Sequence, residues 1–449
     1  MNIARAHAQI NDAINGLPGP KSLASYNYID QLVLFDSIEL KEVLAAGEAK
    51  TLADRWPLHF KLWVYAFHEY RHWLDMTSSV FGLHWLGELF DVLEAHTGDH
   101  QVQPGQVDKC QHVSRMMAGI HLPSYYTTVD NVIGRPWKCQ PTVGQAFTAS
   151  GEANPDHPLW FVRFTTPEGI PISRQPISVS SLLEIRAVAS EMAAGYGLLD
   201  GVPDKDFRAI ELNNFTKSIL DRIYDPELTV YSAAAHWYAN HRGIADVGEA
   251  YRASSSLAWF CLDAPSAWIE SLTTSIAFKK ANGEEMSARM TVSLRRGDRG
   301  ALFFMLAADP RIKAADQFWK ELDAVLQSEW GVTLAMVQKN SRVEARQLLN
   351  RLATTPSPVK ALVDIWRHNQ DIQSDDRPLE VSGVHVKLPA VLLADDTPLN
   401  VFCMQWGDTA FDERIFDPRP YLEEFMKPYL DLRRYGTYSD NGPHCFSVA

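Results

Sequence analysis

The chain has 449 residues, a formal net charge of −13, and 46% hydrophobic residues including 13 Trp, 15 Tyr and 20 Phe. This length corresponds to about three domain-sized units, or one large unit with insertions, and the apolar content excludes a disordered, collagen-like or low-complexity chain. The acidic balance repels phosphate backbones, so no nucleic acid partner is expected.

The opening residues, MNIARAHAQINDAING, have no apolar signal core, and no stretch approaches the roughly 20 apolar residues of a membrane helix. No membrane and a cytoplasmic location are therefore expected. Residues 28–44 hold a short apolar run, Leu32 to Leu34, followed by helical spacing. A strong helix is predicted over 57–76, starting at Pro57, where the missing N–H is no loss. A second follows over 79–96, then a loop at 97–106 and a helix near 107–120. The stretch 149–158 is a break. The segments around Pro167-Glu168-Gly169 alternate like a hairpin spanning 159–178. A helix rich in small residues is predicted over 180–197, stopped by Gly195 and Gly197. Further helices are expected at 206–222, 229–240, 246–261, 266–278, 308–327 and 341–353, with a breaker at 354–358. Strands are expected at 381–393 and 399–406, and a last helix near 419–433. The fold class is α+β, predominantly helical.

Five cysteines (Cys110, Cys139, Cys261, Cys403, Cys445) are scattered without a CxxC pair, so neither a disulfide framework nor a zinc ribbon is indicated. His444-Cys445 is too small a set to hold a metal by itself.

One motif carries chemistry: His68-Glu69-Tyr70-Arg71-His72, an HExxH within an apolar helix. Residues four apart share a helix face, so both imidazoles can reach one ion, and Zn²⁺ accepts neutral His nitrogen in four-coordinate sites. Glu69 follows His68 by about 100° round the helix, within reach of a water in the open position. The plainer alternative is a pair of core histidines bonded to carbonyls, with Glu69 paired to Arg71.

These five residues resemble the active-site helix of the zincin metallopeptidases. The resemblance implies His68 and His72 as zinc ligands and Glu69 as general base. It implies a zincin-like core with a small sheet, a Zn²⁺ cofactor, and a peptide or protein substrate. Asp75 and Ser78 depart from the metzincin pattern. A gluzincin-like third ligand, a Glu on a later helix, would be Glu184, with Glu191 as the other candidate. Glu184 also fits a capping box with Ser181. The companion acid of the gluzincin ExxxD pattern is replaced by Val188. Asp75 is either an orienting partner for an imidazole or a solvent-facing residue. Tyr231, His236, Tyr238 and His241 are candidates for stabilising an oxyanion. The edge that holds an extended substrate would come from the 159–178 hairpin, and the strand beside the cleft from 28–36. Residues 1–55 form a lead, 56–275 the metallopeptidase core with an insertion at 97–179, and 276–449 a helix-rich C-terminal region with a short β segment near 381–406. A catalytically silent scaffold, a non-peptidase metallohydrolase and a non-haem iron protein are the competing functions. Oligomeric state is not specified by the sequence.

Overall fold

A computed structural model describes residues 24–28, 31–96, 120, 122, 124–130, 135–148, 151–312, 315–354, 359–372, 381, 385–402 and 414–420. The fold over these residues is predominantly helical α+β, as the sequence predicts. Strands β1 (Ser25–Tyr26) and β2 (Val33–Phe35) come first, followed by helices α1 (Leu40–Glu48), α2 (Leu52–Ser78) and α3 (Val80–His96). Helix α2 starts earlier than Pro57 suggests. The Thr51 hydroxyl caps it by accepting the Asp54 N–H at 3.2 Å, and Pro57 lies inside the helix, where it forfeits one backbone bond. The second half of α2, from Ala66 to Ser78, is buried on every side.

A sharp corner separates α2 from α3. The Ser79 hydroxyl donates to the Asp75 carbonyl at 2.7 Å and accepts the Gly82 N–H at 3.0 Å. A β-carbon on Gly82 would lie 2.2 Å from the Met76 carbonyl oxygen, so only glycine lets α3 pass this close.

Strands β3 (Thr128–Val129), β4 (Lys138–Phe147), β5 (Ala153–Thr165) and β6 (Pro171–Pro176) form one sheet in the order β3-β6-β5-β4. The predicted hairpin is β5 and β6, paired antiparallel across the Thr166–Ile170 turn. The predicted break at 149–158 is partly wrong: Ala153 to Pro158 belong to β5, and a register shift between Gln145 and Ala146 absorbs the irregularity.

Helix α4 (Val179–Asp200) follows directly and packs along α2. Gly195 and Gly197 do not end it. At Gly195 a β-carbon would meet the Phe215 ring at 2.4 Å, so this glycine serves the close approach of helix α5 (Lys205–Ile223). A 3-10 turn (Pro226–Tyr231) leads to α6 (Ala233–Arg242) and α7 (Val247–Asp263). The predicted helix at 266–278 is two pieces, α8 (Ser266–Ser271) and the start of α9 (Ile276–Arg295), divided before the Ser275 N-cap. Helices α10 (Arg299–Ala307), α11 (Phe318–Trp330), α12 (Leu334–Thr354) and α13 (Val359–Ile372) follow. The 308–327 prediction covers most of α11 but starts ten residues too early, and α10 is not predicted.

Strands β7 (Leu388–Pro389) and β8 (Val391–Leu393) lie within the predicted 381–393, β9 (Pro398–Leu399) meets the predicted 399–406 strand only at Leu399, residues 403–406 lying outside the described residues, and β10 (Ile415–Phe416) is not among the predicted strands. The β8 strand pairs parallel with β2, giving a second sheet in the order β1-β2-β8-β9 that lies against α2. One apolar core runs from Ala24 to Ile415. Among the described residues no helix is long and apolar enough to cross a membrane. The predicted loop at 97–106, nearly all of the helices near 107–120 and 419–433, and His444-Cys445 lie outside the described residues.

Arg299 belongs to the core. It is 4% exposed and donates to the carbonyls of Cys261, Leu262 and Ala264, the unsatisfied acceptors at the end of α7. Beside it, the half-buried Asp263 accepts the Val80 N–H at 3.3 Å. Burial pushes its carboxyl up to about 7, against the opposing pull of that N–H and of Arg299. An unfolded Asp ionises near about 3.9. Between these values the folded chain keeps a proton the unfolded chain has lost, so this contribution is complete below about pH 4 and lost as pH rises through about 7. Asp263→Asn should therefore lose less stability than the wild type between pH 5 and pH 8. Urea midpoints at the two pH values provide the check, and equal losses would contradict the assignment.

Candidate metal centre

Two helices build the site. Helix α2 presents His68 and His72 one turn apart, and α4 presents Glu184 against them. Glu184 Oε2 lies 3.3 Å from His68 Nε2 and 3.4 Å from His72 Nε2. Tetrahedral coordination with bonds of about 2.0–2.1 Å places neighbouring ligand atoms about 3.3–3.4 Å apart, the same separation. Both contacts are at ion-pair distance, yet neither has hydrogen-bond geometry: Glu184 Oε2 is a buried acceptor without a hydrogen-bond donor. A common ion would satisfy all three atoms: His68, His72 and Glu184 form a group that could hold a metal ion.

The helix start explains why Glu184 is available. The capping box of α4 uses Ser178 and Ser181, not Ser181 and Glu184. Nor does Glu69 pair with Arg71. That arginine is held by Asp75, with Nη2 to Oδ1 at 2.9 Å.

Glu191 sits on the same face of α4 two turns on, and it approaches the other nitrogen of His68. Its Oε2 lies 3.2 Å from His68 Nδ1, and its Oε1 accepts from Arg222 Nη2 at 2.7 Å. A carboxylate on Nδ1 keeps the proton there and leaves the Nε2 lone pair facing Glu184. Glu191 is thus an orienting group, itself fixed by a guanidinium from α5. Glu191→Gln should weaken metal binding roughly 10–100-fold without unfolding the chain. Competition against a chromophoric chelator measures this, and unchanged affinity would remove Glu191 from the site.

Glu69, Glu184 and Glu191 are buried together, and among the described residues Arg222 is the one guanidinium paired with them, through Glu191. With all three carboxyls ionised two negative charges would remain, matching one divalent ion or two imidazolium groups. Burial opposes charge on His68, but the adjacent Glu184 carboxylate and the hydrogen bond to Glu191 prevail and push it up to about 10. Burial alone would raise the Glu184 carboxyl, and the imidazoles of His72 and His68 outweigh it and hold it below the usual carboxylate range. Glu69 is raised, chiefly by burial.

The other sequence candidates separate cleanly. Tyr231 packs against His68 with ring centroids 6.1 Å apart. His236 lies among Trp137, Phe164 and Tyr224 with Nε2 3.1 Å from the Ile223 carbonyl. Tyr238 packs under Arg242, and His241 against Trp237. Of the four, only Tyr231 borders the metal group. Asp75 neither orients an imidazole nor faces solvent. It is fully buried between Arg71 and Arg186. Sequence reasoning missed Tyr26 and Tyr28, whose rings each lie 6.2 Å from that of His72.

The 159–178 hairpin does not supply a clear edge beside the site, since β4 covers β5 and β3 covers part of β6. The strand within the predicted 28–36 is β2, an interior strand of its sheet; the edge among the described residues that lies beside the site is β1, just before that range, whose Tyr26 stacks on His72.

No protein-family model matches this chain, and neither curated proteins nor solved structures give a match.

Proposed function

We propose that this chain is a zinc-dependent metallopeptidase of zincin type, with His68, His72 and Glu184 as the metal ligands. The observation that carries the reading is the convergence of two Nε2 atoms and one carboxylate oxygen on a single point, with Glu69 buried beside them. The donor set of two imidazoles and a carboxylate suits zinc and leaves one position open.

Zinc held there supplies Lewis acidity, polarising a carbonyl and acidifying a water molecule. The rest falls to the chain's own residues. Glu69 accepts the proton of the attacking water on its carboxylate and returns it to the departing amine nitrogen. Burial raises the Glu69 carboxyl and thereby makes it a better base for this exchange. Tyr231, beside His68, donates its phenol proton in a hydrogen bond to the oxygen on which charge develops. Strand β1, at the edge of its sheet among the described residues, is the place for an extended polypeptide to add next to His72.

The test is turnover of a quenched-fluorescence peptide library by the zinc-loaded protein. Cleavage that stops on chelation and returns with zinc is the expected result. Zinc bound at one per chain with no peptide cleaved would instead favour a silent scaffold or a hydrolase of other substrates. Iron or manganese as the resident metal would overturn the zinc assignment.

A further inference from the structure

Alternate residues of β5 divide the four-stranded sheet into two faces. Trp160, Val162 and Phe164 belong to the main core, where the Trp160 indole donates to the Ser293 hydroxyl of α9 at 2.9 Å. Leu159 and Phe161 belong to a separate small cluster on the outer face, with Tyr126 and Ala146. Arg163 continues that outer row and is exposed.

In the β5–β6 ladder Arg163 stands directly opposite Arg174. Like charges so placed destabilise a sheet. Burial and then the Arg163 charge pull the Arg174 guanidinium below its ordinary range. Among the described residues neither guanidinium has an acidic partner. Yet Arg174 is not a loose solvated side chain. Its guanidinium carbon lies 3.7 Å from the centroid of the Phe161 ring, and its Nε donates to the Thr142 hydroxyl of β4 at 3.0 Å. Gly144 makes room for it: a β-carbon there would lie 2.9 Å from the Phe161 ring and 3.2 Å from Arg174 Nη2. Lys138, opposite Thr165 in the β4–β5 ladder, is a third cation of this face, but the Pro167 carbonyl and the nearby Glu168 carboxylate answer it.

At the Leu159 end the same face becomes apolar. Tyr125 and Phe147 are 53% and 52% exposed, with ring centroids 6.1 Å apart, and both pack on Tyr126. Leu159 and Arg163 are four residues apart on β5, a span of roughly 13 Å.

We propose that this outer face docks an acidic polypeptide segment, whose neighbouring carboxylates pair with Arg163 and Arg174 while a bulky apolar side chain rests on Tyr125 and Phe147. Charge complementarity selects the partner. Two unanswered guanidinium groups match two carboxylates, each able to accept from a fork of N–H donors. A nucleic acid presents a phosphate at every nucleotide and typically draws on roughly 6–10 phosphate contacts, and the chain's net charge of −13 repels it. The inference goes beyond the metal-site reading and does not depend on it.

The test is fluorescence anisotropy of the full chain with a labelled peptide carrying two adjacent glutamates and, about four positions away, a phenylalanine, made in both chain orders. The wild type should bind one of the two, more weakly as salt is raised. Arg163→Gln should bind about ten-fold more weakly, the loss of one charge-assisted contact, with a urea midpoint no lower than wild type because a like-charge contact has gone. Arg163→Glu offers Arg174 a carboxylate from its own sheet, so it should abolish peptide binding and raise the urea midpoint. Absence of wild-type binding up to about 1 mM peptide would overturn the proposal, as would affinity in both variants within about two-fold of wild type. Equal binding of a peptide with glutamines in place of the glutamates would overturn the recognition of charge, and a fall in the urea midpoint of Arg163→Glu would overturn the like-charge contact. Tighter binding of a short oligo-dT than of either peptide would overturn the choice of partner in favour of a nucleic acid.

Discussion

Glu69→Gln should lower peptide turnover by roughly 10²–10⁴-fold while the protein keeps one metal ion per chain. The amide has almost the shape of the carboxylate, so it fills the same buried space beside His68 and His72. It cannot accept the proton of the attacking water. Glu69 is not one of the three converging ligand groups, so the metal site should remain intact. Parallel measurements of turnover number and metal stoichiometry separate the two effects. Turnover in the Gln variant equal to wild type would reject Glu69 as the base. Loss of the metal together with activity would make it a ligand instead.

Asp75→Asn should cost about 3–5 kcal/mol of stability, a large fraction of the roughly 5–15 kcal/mol of a typical folded domain. Asp75 is fully buried and answers two guanidinium groups: Arg71 Nη2 at 2.9 Å, and Arg186 through Nε at 2.7 Å and Nη2 at 2.9 Å. Arg186 also donates to the Ser255 carbonyl at 3.0 Å and lies over the Trp259 ring. Neutralising the acid removes the counter-charge that the two buried guanidinium groups share. The position gives this network a second consequence. Asp75 lies one turn after His72, and Arg186 lies two residues after Glu184, so the ion pair ties α2 to α4 at the level of the metal ligands. A variant that still folds should therefore bind metal more weakly, although Asp75 touches no ligand. Urea denaturation gives the stability change. A loss under about 1 kcal/mol, the range of a surface ion pair, would contradict this account.

The metal group was legible in the sequence because its key spacing is local. An HExxH on an apolar helix puts two imidazoles on one buried face, where charged and polar groups need partners. Glu184 was reachable by a weaker signal, an acid at the start of a helix of small residues. The part played by Glu191 also had a signal: seven residues separate two turns of one face, so Glu184 and Glu191 had to point the same way. What no spacing encodes is a contact between segments far apart in the chain. Arg186 with Asp75, Arg222 with Glu191, and Tyr28 beside His72 all depend on how the elements pack.

The misplaced elements have local causes. Strand β4 escaped notice because Pro141 and Gly144 interrupt its alternation, and it is an edge strand, where proline is tolerated. Helix α10 is buried along its entire length, and so its apolar run carries no helical period to detect. The N-terminus of α2 was drawn to Pro57, although the capping chemistry of Thr51 with Asp54 decides it.

The central claim is that one divalent ion is held jointly by His68, His72 and Glu184. The most direct measurement is metal stoichiometry by mass spectrometry after zinc loading and exhaustive dialysis, on wild type and on His72→Ala of verified fold. One zinc per chain in the wild type and nearly none in the variant is the predicted result. A folded wild type that retains no metal, or a variant that retains as much as the wild type, would contradict it.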